Sequence, residues 1–576
     1  MVFFLLGIVM LKTETQFGVM GQRQPLLHTR LGTMRGIVEN GVKQYRSIPY
    51  AKPPIGPLRF AKSVAAVPWN GVRDASKFGP SCMQPPYPET DKFLPSLKQS
   101  EDCLFLNVYV PGNTTVGSNK HVMVWVHGGG FFVGQAMLYD GSFLASQGDV
   151  IVVTVNYRLG IFGFLSTMDS HLPGNYGLWD QRLALQWVQE NIALFGGNPK
   201  SVTIFGESAG AISASLQSIN PLNKGLFQRA IVQSGTAMMN AAIWKNAKTY
   251  ARDAGVMLNC STTTSKLDDY FVRCMRSLPL DNLLNVQNDL FIRDSLNFGR
   301  TFQAIMGPVI DNILIPDSPL KLLSNKSSPS FKFFLSLGFM AGNVNQEGSL
   351  FLPKLDIFSI SKNFNVTAGV PTSDFCDYLV PMFTSTYTVA TNRTIATQSV
   401  CSMYRKPYAA SQANSVLDCY SDVNFIVPVI ETLNIHSADN ILTSTYQYMF
   451  NRQTIDKSSL ESLPPWFIGA PHGSEVFFLF GAQVFQTKFN ITVSSTDLAL
   501  SHRMILHWSN FAKNGNPNID NHPMWISYDI QQKYYMDFNQ AVTIKTDLYK
   551  DRVSLWLGTT ANSTAAWQSA IVGRET

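Results

Sequence analysis

The stretch that decides the fold is Phe205-Gly206-Glu207-Ser208-Ala209-Gly210-Ala211, which contains a Gly-x-Ser-x-Gly pentapeptide centred on Ser208. A β-branched, apolar run over residues 201–205 precedes it, and small and apolar residues at helical spacing follow it over residues 211–216. Glycines on both sides of the serine allow a strand and a helix to approach closely. The pentapeptide alone is a weak signal, but in this setting it predicts a nucleophilic serine on a tight strand-turn-helix connection.

Apolar runs elsewhere predict the elements around this turn. Residues 122–126, 150–155 and 334–340 have the composition of buried strands, and residues 178–195 have the spacing of an amphipathic helix. Strands that alternate with helices are typical of an α/β fold with a large, mostly parallel central sheet and helices on both faces. Neither an internal repeat nor a Gly/Ser-rich linker divides the chain, so we expect a single domain.

A serine hydroxyl becomes a good nucleophile when a histidine takes its proton and a carboxylate orients that histidine. In folds of this kind the order along the chain is nucleophile, acid, histidine. Glu347 lies in a polar loop, residues 342–349, after a predicted strand. That loop would lie at the carboxyl edge of the sheet, where catalytic groups collect. A carboxylate at a helix N-terminus is the alternative interpretation of Glu347.

The candidates for the base are the histidines that follow the serine: His436, His472, His502, His507 and His522. The small-residue turn over residues 469–473 would expose the imidazole of His472 at a loop tip, which makes it the leading candidate. Two others, His502 and His507, fall in a helix-like segment, where a packed or exposed histidine is the ordinary outcome.

A glycine-rich stretch supplies a candidate for the oxyanion donors. His127-Gly128-Gly129-Gly130-Phe131 follows the predicted strand over residues 122–126. Stretches of this type aim backbone N–H groups at a developing oxyanion. A purely structural Gly-rich turn is the alternative.

Composition excludes several other classes of function. The aromatic content of 12% and hydrophobic content of 45% suit a large globular enzyme, and the net charge of +6 is spread without a Lys/Arg block. We therefore expect no nucleic acid partner. Neither a Cys-x-x-Cys nor a His-x-x-x-His pattern occurs, so nothing indicates a metal, and we expect no cofactor.

The N-terminus indicates export. Residues 1–11 form an apolar run of the length of a signal-peptide core, too short to span a bilayer; a truncated start or a buried strand is the alternative. We expect a signal peptide and leader over residues 1–19, the α/β domain over 20–560, a short tail over 561–576, and a secreted protein without a transmembrane segment. The candidate glycosylation sites are Asn113, Asn259, Asn325, Asn365, Asn392, Asn490 and Asn562.

The cysteines suggest two local disulfides. Cys82 and Cys103 flank a Pro-rich polar segment, and Cys260 and Cys274 bracket a Ser/Thr-rich one, as in disulfides that close surface loops. The remaining three are Cys376, Cys401 and Cys419. Because their number is odd, at least one thiol is unpaired or pairs between chains.

Over almost its whole length, from about residue 30 to about residue 560, the chain resembles the type-B carboxylesterase/cholinesterase family of α/β-hydrolases. Besides the serine pentapeptide, the matching stretches are residues 48–54, 100–107, 156–165, 195–199 and 510–517. The family's Glu-Gly-Ser and Gly-x-x-His-Gly-x-Glu motifs also occur, around Glu347 and His472.

The resemblance implies specific roles. The triad would be Ser208, Glu347 and His472, and the amides of Gly129, Gly130 and Ala209 would form the oxyanion hole. Family disulfides match Cys82–Cys103 and Cys260–Cys274, and the expected ion pairs are Arg59–Glu101 and Arg158–Asp180. The implied activity is that of a serine esterase that cleaves small-molecule carboxylic esters through an acyl-enzyme.

Two departures from the family narrow this expectation. A third family disulfide has no counterpart, because Val427 occupies one cysteine position and residues 552–556 contain none. Cholinesterases carry a choline-binding tryptophan between the first two cysteines, whereas residues 83–102 hold only Tyr87 and Phe93 as aromatics. Efficient choline-ester hydrolysis is therefore not expected. The alternatives are a specialised cholinesterase-like, juvenile-hormone or lipase-like esterase and a non-catalytic adhesion protein; the oligomeric state stays open.

Overall fold

The computed structural model describes residues 24–85, 98–264, 266–296, 306–387, 393–438, 440–453, 463–483 and 492–558. The predicted signal peptide, the C-terminal tail, Tyr87 and Phe93 lie outside the described residues. So do three of the candidate glycosylation sites, Asn392, Asn490 and Asn562.

A central sheet of 11 strands organises the chain, with the order β16-β15-β14-β13-β12-β11-β9-β10-β8-β4-β3. Its strands are β3 Ile37–Glu39, β4 Val42–Pro49, β8 Phe105–Pro111, β9 Lys120–Val126, β10 Ile151–Val155, β11 Gly197–Glu207, β12 Arg229–Gln233, β13 Gly338–Val344, β14 Thr445–Phe450, β15 Tyr535–Phe538 and β16 Thr543–Lys545. Short strands outside it are β1 Leu26–His28, β2 Thr33–Arg35, β5 Val72–Asp74, β6 Ser81–Cys82 and β7 Gln99–Ser100.

The middle of the sheet is parallel and its edges are antiparallel. Every pair from β10 through β9, β11, β12, β13 and β14 to β15 is parallel. The pairs that involve β3, β4 and β8 on one side and β16 on the other are antiparallel. The carboxyl ends of the parallel strands therefore share one edge of the sheet, as expected for an α/β fold.

Helices cover both faces of the sheet. The α-helices are α1 Ser142–Gly148, α2 Gly160–Phe164, α3 Tyr176–Asn191, α4 Ala209–Ser218, α5 Ala247–Met257, α6 Asp269–Ser277, α7 Leu280–Leu296, α8 Pro319–Ser324, α9 Pro329–Leu335, α10 Leu352–Lys362, α11 Thr372–Asp374, α12 Val380–Tyr387, α13 Arg393–Tyr404, α14 Ala409–Ser421, α15 Val427–Ser437, α16 Ser474–Leu479, α17 Ser495–Asn514 and α18 Lys550–Gly558. The 3₁₀ turns are Gly56–Leu58, Ala136–Leu138, Ile192–Phe195, Pro221–Asn223, Asn240–Ala242, Glu347–Phe351 and Val366–Ala368, and the π-helical turns are Phe375–Leu379 and Asp422–Ile426.

The sheet separates two hydrophobic clusters because side chains alternate along each strand. On β9, for example, Val124 belongs to one cluster and Trp125 to the other. The predicted strands over residues 122–126 and 150–155 are confirmed as β9 and β10, and the predicted helix over residues 178–195 is confirmed as α3 with its 3₁₀ extension.

The prediction of a strand over residues 334–340 is wrong in its first half. Residues up to Leu335 belong to α9, and the strand β13 begins only at Gly338. Pro329 starts the helix, and the Ser328 side chain caps it by accepting a hydrogen bond from the Phe331 N–H. A short apolar run does not by itself distinguish a buried strand from a buried helix, and these N-terminal signals decide for the helix.

Among the described residues, no helix has both the length and the apolar character needed to cross a bilayer.

Candidate active site

The serine of the pentapeptide lies on the sharp turn between β11 and α4. Ser208 has φ 55° and ψ −123°, a backbone conformation that is rare for a residue with a side chain. Its N–H donates to the carbonyl of Gln233, the last residue of β12 (2.9 Å), and its carbonyl accepts from the N–H of Ile212 in α4 (2.9 Å). Both β12 and α4 therefore hold the turn. Residues in such conformations cluster at functional sites, where the surrounding structure imposes them.

Close packing explains the glycine that follows the serine. A Cβ on Gly210 would overlap the carbonyl oxygen of Val126 at the end of β9. Only glycine therefore lets α4 start this close to the neighbouring strand. The turn is forced to be tight, and the serine projects at the carboxyl edge of the sheet.

The glycine-rich stretch lies directly on this turn. A Cβ on Gly128 would be 2.6 Å from Glu207 Oε2 and 3.1 Å from Ser208 Cβ. The φ angles of Gly129 (104°) and Gly130 (63°) are positive, a conformation that exposes backbone amides because no Cβ obstructs it.

Two further features favour an anion beside the serine. Ala209 is the first residue of α4, and the first N–H groups of a helix have no acceptor within the helix. The Tyr157 hydroxyl donates to the His127 carbonyl (2.8 Å) and so anchors the start of the glycine-rich stretch. The site thus brings together a helix N-terminus and the glycine-rich backbone that were predicted to bind an oxyanion.

Glu347 is buried where β13 ends, as the first residue of a 3₁₀ turn. Its Oε1 accepts hydrogen bonds from the Asn343 side-chain amide (3.0 Å) and from the Val344 N–H (3.1 Å), while its Oε2 contacts Nδ1 of His472. The carboxylate bonds back to the strand end and does not cap the turn that it begins. The structure therefore brings Glu347 and His472 together, although they lie 125 residues apart in the chain.

His472 lies in the turn that precedes α16 and is 2% exposed. Its backbone N–H donates to Ser349 Oγ (2.9 Å), and the Gln346 N–H donates to the Ala470 carbonyl (3.1 Å). Its ring faces Phe425, with centroids 5.1 Å apart. The loops of the acid and of the histidine are thus joined through their backbones, which fixes the imidazole beside the carboxylate.

The other candidate histidines lie elsewhere. His436 contacts Thr445 Oγ1 (2.7 Å) and the Leu337 carbonyl (3.0 Å), and His507 contacts the Pro517 carbonyl (2.7 Å), so both belong to the packing of buried elements. His502 and His522 are exposed at the surface. Among the described residues, no hydrogen bond joins any of these four histidines to Glu347.

A second glutamate lies on the other side of the imidazole. Nε2 of His472 is 3.1 Å from Oε1 of Glu207, the residue next to Ser208. Burial, and then the negative charge of Glu347, raise the pKa of Glu207 well above its ordinary value of 4.5. The environment of Glu207 therefore favours its neutral form, so a second negative charge beside the ring is disfavoured.

Sequence reasoning missed a third buried glutamate. Burial raises the pKa of Glu475 to about 8, and the neighbouring carboxyl groups of Glu207 and Glu347 add to the shift. Its Oε1 accepts from the Gln233 side chain (3.2 Å), whose own oxygen accepts from Trp508 Nε1 (3.1 Å). Glu475 is the last residue of the Gly-x-x-His-Gly-x-Glu motif, three positions after His472, but the motif does not indicate that its side chain is buried.

Disulfides and ion pairs brace the regions that flank the site. The described residues contain disulfides Cys82–Cys103, Cys260–Cys274 and Cys376–Cys401, and the thiol of Cys419 is free and buried. The pairing of the last three cysteines, which the sequence left open, is thereby resolved. Arg59 contacts Glu101 (2.6 Å) and Arg158 contacts Asp180 (2.7 Å), both as buried pairs.

Two further predictions concern the surface and metals. The four candidate glycosylation sites within the described residues are all exposed: Asn113, Asn259, Asn325 and Asn365. Within the same residues, no group of three or more His, Cys, Asp or Glu side chains could hold a metal ion.

The fold and the strand-turn-helix serine define an α/β-hydrolase, and comparisons with known proteins agree. The model of the carboxylesterase family matches residues 23–556. Carboxylesterase 5A of Felis catus is 34% identical over 554 residues, which cover 93% of this chain and 94% of that protein. Carboxylesterase 1D of Rattus norvegicus and the liver carboxylesterase of Sus scrofa are each 34% identical, with 92% of both chains covered.

The chain therefore belongs to the carboxylesterase family. It is a carboxylic-ester hydrolase, as the resemblance in its sequence implied.

Proposed function

We propose that the chain cleaves carboxylic esters through an acyl-enzyme on Ser208, with His472 as the base and Glu347 as the group that orients it. The observation that carries this proposal is the contact between Glu347 and Nδ1 of His472 at the edge of the sheet where Ser208 lies. A buried, hydrogen-bonded carboxylate on Nδ1 holds the imidazole with Nε2 as the basic nitrogen.

In the first half of the reaction, Ser208 Oγ attacks the ester carbonyl carbon while His472 Nε2 takes the hydroxyl proton. The carbon–oxygen bond to the alcohol then breaks, and the alcohol leaves with that proton. The charge of Glu347 stabilises the imidazolium that exists between these two events. Because burial and the charge of Glu347 raise the pKa of Glu207, a second negative charge that would hold the proton on Nε2 is disfavoured.

In the second half, water gives a proton to His472 and attacks the acyl carbon. The bond to Ser208 Oγ breaks, the serine recovers its proton, and the acid is released. Both tetrahedral intermediates carry an oxyanion, for which the amides of Gly129, Gly130 and Ala209 are the proposed donors. Every proton is supplied by these side chains, the substrate or water, so the proposed reaction requires no cofactor.

We propose neutral esters, rather than choline esters, as the substrate class. The family's choline-binding tryptophan has no counterpart among residues 83–102, and an aromatic face is the group that recognises a quaternary ammonium. The names of the similar proteins, carboxylesterases of three mammals, support the same class.

Hydrolysis of a chain-length series of p-nitrophenyl esters and of acetylthiocholine tests this proposal, with the Ser208→Ala variant as the control. We expect turnover of the neutral esters by the wild type and near-complete loss in the variant. Equal activity of the variant would refute the role of Ser208. Faster turnover of acetylthiocholine than of short neutral esters would refute the substrate class and favour a cholinesterase-like enzyme.

We further propose that the protein is secreted and glycosylated. The apolar N-terminal run and the exposed asparagines at the four described sequons support this. N-terminal sequencing of the protein from the culture medium of expressing cells should begin after the apolar run. An intact Met1 in the exported protein would contradict the signal peptide.

A further inference from the structure

An ion-pair network joins α18, the last helix among the described residues, to the segment that packs against the loop of Glu347. Arg552 Nε lies 2.8 Å from Asp422 Oδ2, and its Nη2 donates to Asp422 Oδ1 (3.0 Å). Its Nη1 lies 3.3 Å from Asp418 Oδ2. The side chains of Asp422, Arg552 and Asp418 are 0%, 21% and 30% exposed, so the guanidinium lies between one fully buried and one partly exposed aspartate.

A second pair of side chains completes the link. The Tyr404 hydroxyl donates to Asp422 Oδ2 (2.5 Å) and accepts from Trp556 Nε1 (2.9 Å), so α18 contributes both Arg552 and Trp556. Burial raises the pKa of Asp422 to about 7, and the charge of Arg552 opposes this shift. The guanidinium, together with the hydrogen bond from Tyr404, therefore favours the ionised form of this aspartate.

The two aspartates belong to residues 417–425, which we call the support segment because the loop of Glu347 rests on it. The Gly348 N–H donates to Ser421 Oγ (2.7 Å), and the Gln346 side-chain amide donates to Asp418 Oδ1 (3.3 Å). A Cβ on Gly348 would overlap the Leu417 carbonyl oxygen, so the two backbones touch without space between them. Both neighbours of Glu347 in the chain are thus held by the support segment.

The same segment also reaches the histidine. Its last residue, Phe425, faces the ring of His472, with centroids 5.1 Å apart. The support segment therefore contacts both partners of the Glu347–His472 pair. Arg552 contacts the same segment through Asp418 and Asp422.

No disulfide among the described residues reinforces this connection. Residues 552–556 contain no cysteine, and the thiol of Cys419 in the support segment is free. Of the described disulfides, Cys376–Cys401 joins residues before the support segment, and neither of its cysteines lies in α18. In this chain the ion pairs and hydrogen bonds of Arg552 and Trp556 hold α18 against the support segment.

We propose that Arg552 is a positioning residue for ester hydrolysis, which acts through Asp418 and Asp422 to hold the loop of Glu347 against His472. This inference rests on the proposed function for the role of the Glu347–His472 pair. Removing the guanidinium leaves two aspartates close together without their cation, and the support segment relaxes to separate or hydrate them. Because Gln346 and Gly348 are bonded to that segment, the carboxylate of Glu347 moves with it.

The test compares Arg552→Met and Arg552→Lys with a matched control, Lys545→Met. Lys545 Nζ pairs with another buried aspartate, Asp537 (2.5 Å), at the far edge of the sheet. Like Arg552→Met, the control removes the cation from a buried carboxylate, but it has no bond to the loop of Glu347. Turnover is measured with a p-nitrophenyl ester and divided by the number of active sites, which are counted by the burst of p-nitrophenol.

We expect kcat of Arg552→Met to fall about 10- to 100-fold, since a displacement of about 1 Å in a catalytic group costs about 10²-fold. KM should change little, because acylation and deacylation use the same His472 and slow together. Arg552→Lys, which keeps the charge, should recover part of kcat, and Lys545→Met should keep the wild-type value. Equal kcat for Arg552→Met and Lys545→Met would overturn the inference.

A double-mutant cycle examines the route through the loop. Gln346→Met removes the bond to Asp418, together with the side-chain bonds of Gln346 to Ser421 Oγ and the Ile468 carbonyl, while leaving the pairs of Arg552 in place. We suppose that Arg552 acts through this bond and through the bond from the Gly348 N–H to Ser421 Oγ. The fall in kcat caused by Arg552→Met should then be smaller in the Gln346→Met background than in the wild type. Fully additive effects would contradict this route and overturn the inference.

A readout independent of turnover separates this inference from the proposed function. The proton between Glu347 and His472 should give a low-field NMR signal, assigned by its absence in His472→Gln. We expect Arg552→Met, but not Lys545→Met, to shift or broaden this signal. If Arg552→Met shifts the signal but the wild type forms no acyl-enzyme, only the proposed function is refuted. If the signal is unchanged in Arg552→Met, the positioning role is refuted.

Discussion

The imidazole of His472 lies between two glutamates: Glu347 contacts Nδ1, and Oε1 of Glu207 is 3.1 Å from Nε2. The two carboxyl groups lie in different environments. Glu347 accepts two further hydrogen bonds at its Oε1, whereas burial, and then the charge of Glu347, raise the pKa of Glu207 well above its ordinary value. The structure thus places one glutamate where it orients Nδ1 and favours the neutral form of the other beside the serine.

The same substitution at these two positions should lower kcat by very different factors. Glu347→Gln removes the charge that stabilises the imidazolium, so we expect kcat to fall about 10⁴-fold, as for the corresponding change in a Ser-His-Asp triad. Glu207→Gln introduces a neutral amide of the same shape as the neutral carboxyl that burial favours, so kcat should fall by less than about 10-fold. Steady-state kinetics on one p-nitrophenyl ester measures both variants.

The paired design supplies its own control, because both variants replace a buried glutamate within contact of the same ring. A loss at Glu207→Gln as large as that at Glu347→Gln would show that Glu207 works as an anion. The assignment of protonation states would then be wrong.

The buried Glu475 should make stability fall as the pH rises. Its pKa is about 8 in the folded protein and near 4.5 once exposed, so unfolding releases a proton between those pH values. The stabilisation is complete below pH 4.5 and is lost as the pH rises through about 8. Since one unit of pKa corresponds to about 1.4 kcal/mol, the loss amounts to several kcal/mol.

Denaturant unfolding of wild type and Glu475→Gln at a series of pH values tests this dependence. The glutamine still accepts the hydrogen bond from Gln233 but does not titrate. Its free energy of unfolding should therefore increase relative to wild type between pH 5 and pH 8. Parallel curves for the two proteins would contradict the raised pKa of Glu475.

Substitution in the glycine-rich stretch should affect catalysis rather than stability alone. A Cβ on Gly129 would overlap the Val133 carbonyl oxygen, and its φ of 104° is unfavourable for alanine. Gly129→Ala should therefore displace the proposed donors and lower kcat about 10²- to 10³-fold. The control is Gly117→Ala, where φ is also positive (88°) but no atom lies within 4 Å of the new Cβ. If both variants lose kcat equally, backbone strain and not the donors explains the effect.

The cysteines give a prediction that needs no activity. Peptide mapping without reduction should recover Cys376 linked to Cys401, besides the two local disulfides. The thiol of Cys419 should react with iodoacetamide only after unfolding, because it is buried and its pKa is raised by burial. Rapid alkylation of the native protein at Cys419, or a crosslink between Cys419 and another cysteine, would contradict this arrangement.

The parts of the site that sequence predicted are those encoded in local turns. Ser208, the glycine-rich stretch and the turn of His472 each carry small residues at fixed offsets, because each needs a backbone conformation that few residues allow. The central strands were predictable for a similar reason, since continuous apolar runs mark strands buried on both faces. The error at residues 334–340 arose where the apolar run continued from a helix into a strand.

Contacts between distant segments were not predictable in this way. Arg552 and Asp422 are 130 residues apart, and nothing near either one indicates the other. The contact of Glu207 with His472 likewise depends on how the two turns meet in space. A charged residue is normally solvated, and nothing in the sequence around Arg552 indicates that it is buried.

The most direct test of the account is the site of covalent modification by diethyl p-nitrophenyl phosphate, an ester analogue that arrests serine esterases at the first step. Mass spectrometry of proteolytic peptides should find one diethylphosphoryl group per chain, on Ser208, with ester hydrolysis lost in proportion. Modification at another residue, or full hydrolysis by protein labelled at Ser208, would contradict a mechanism that passes through this serine.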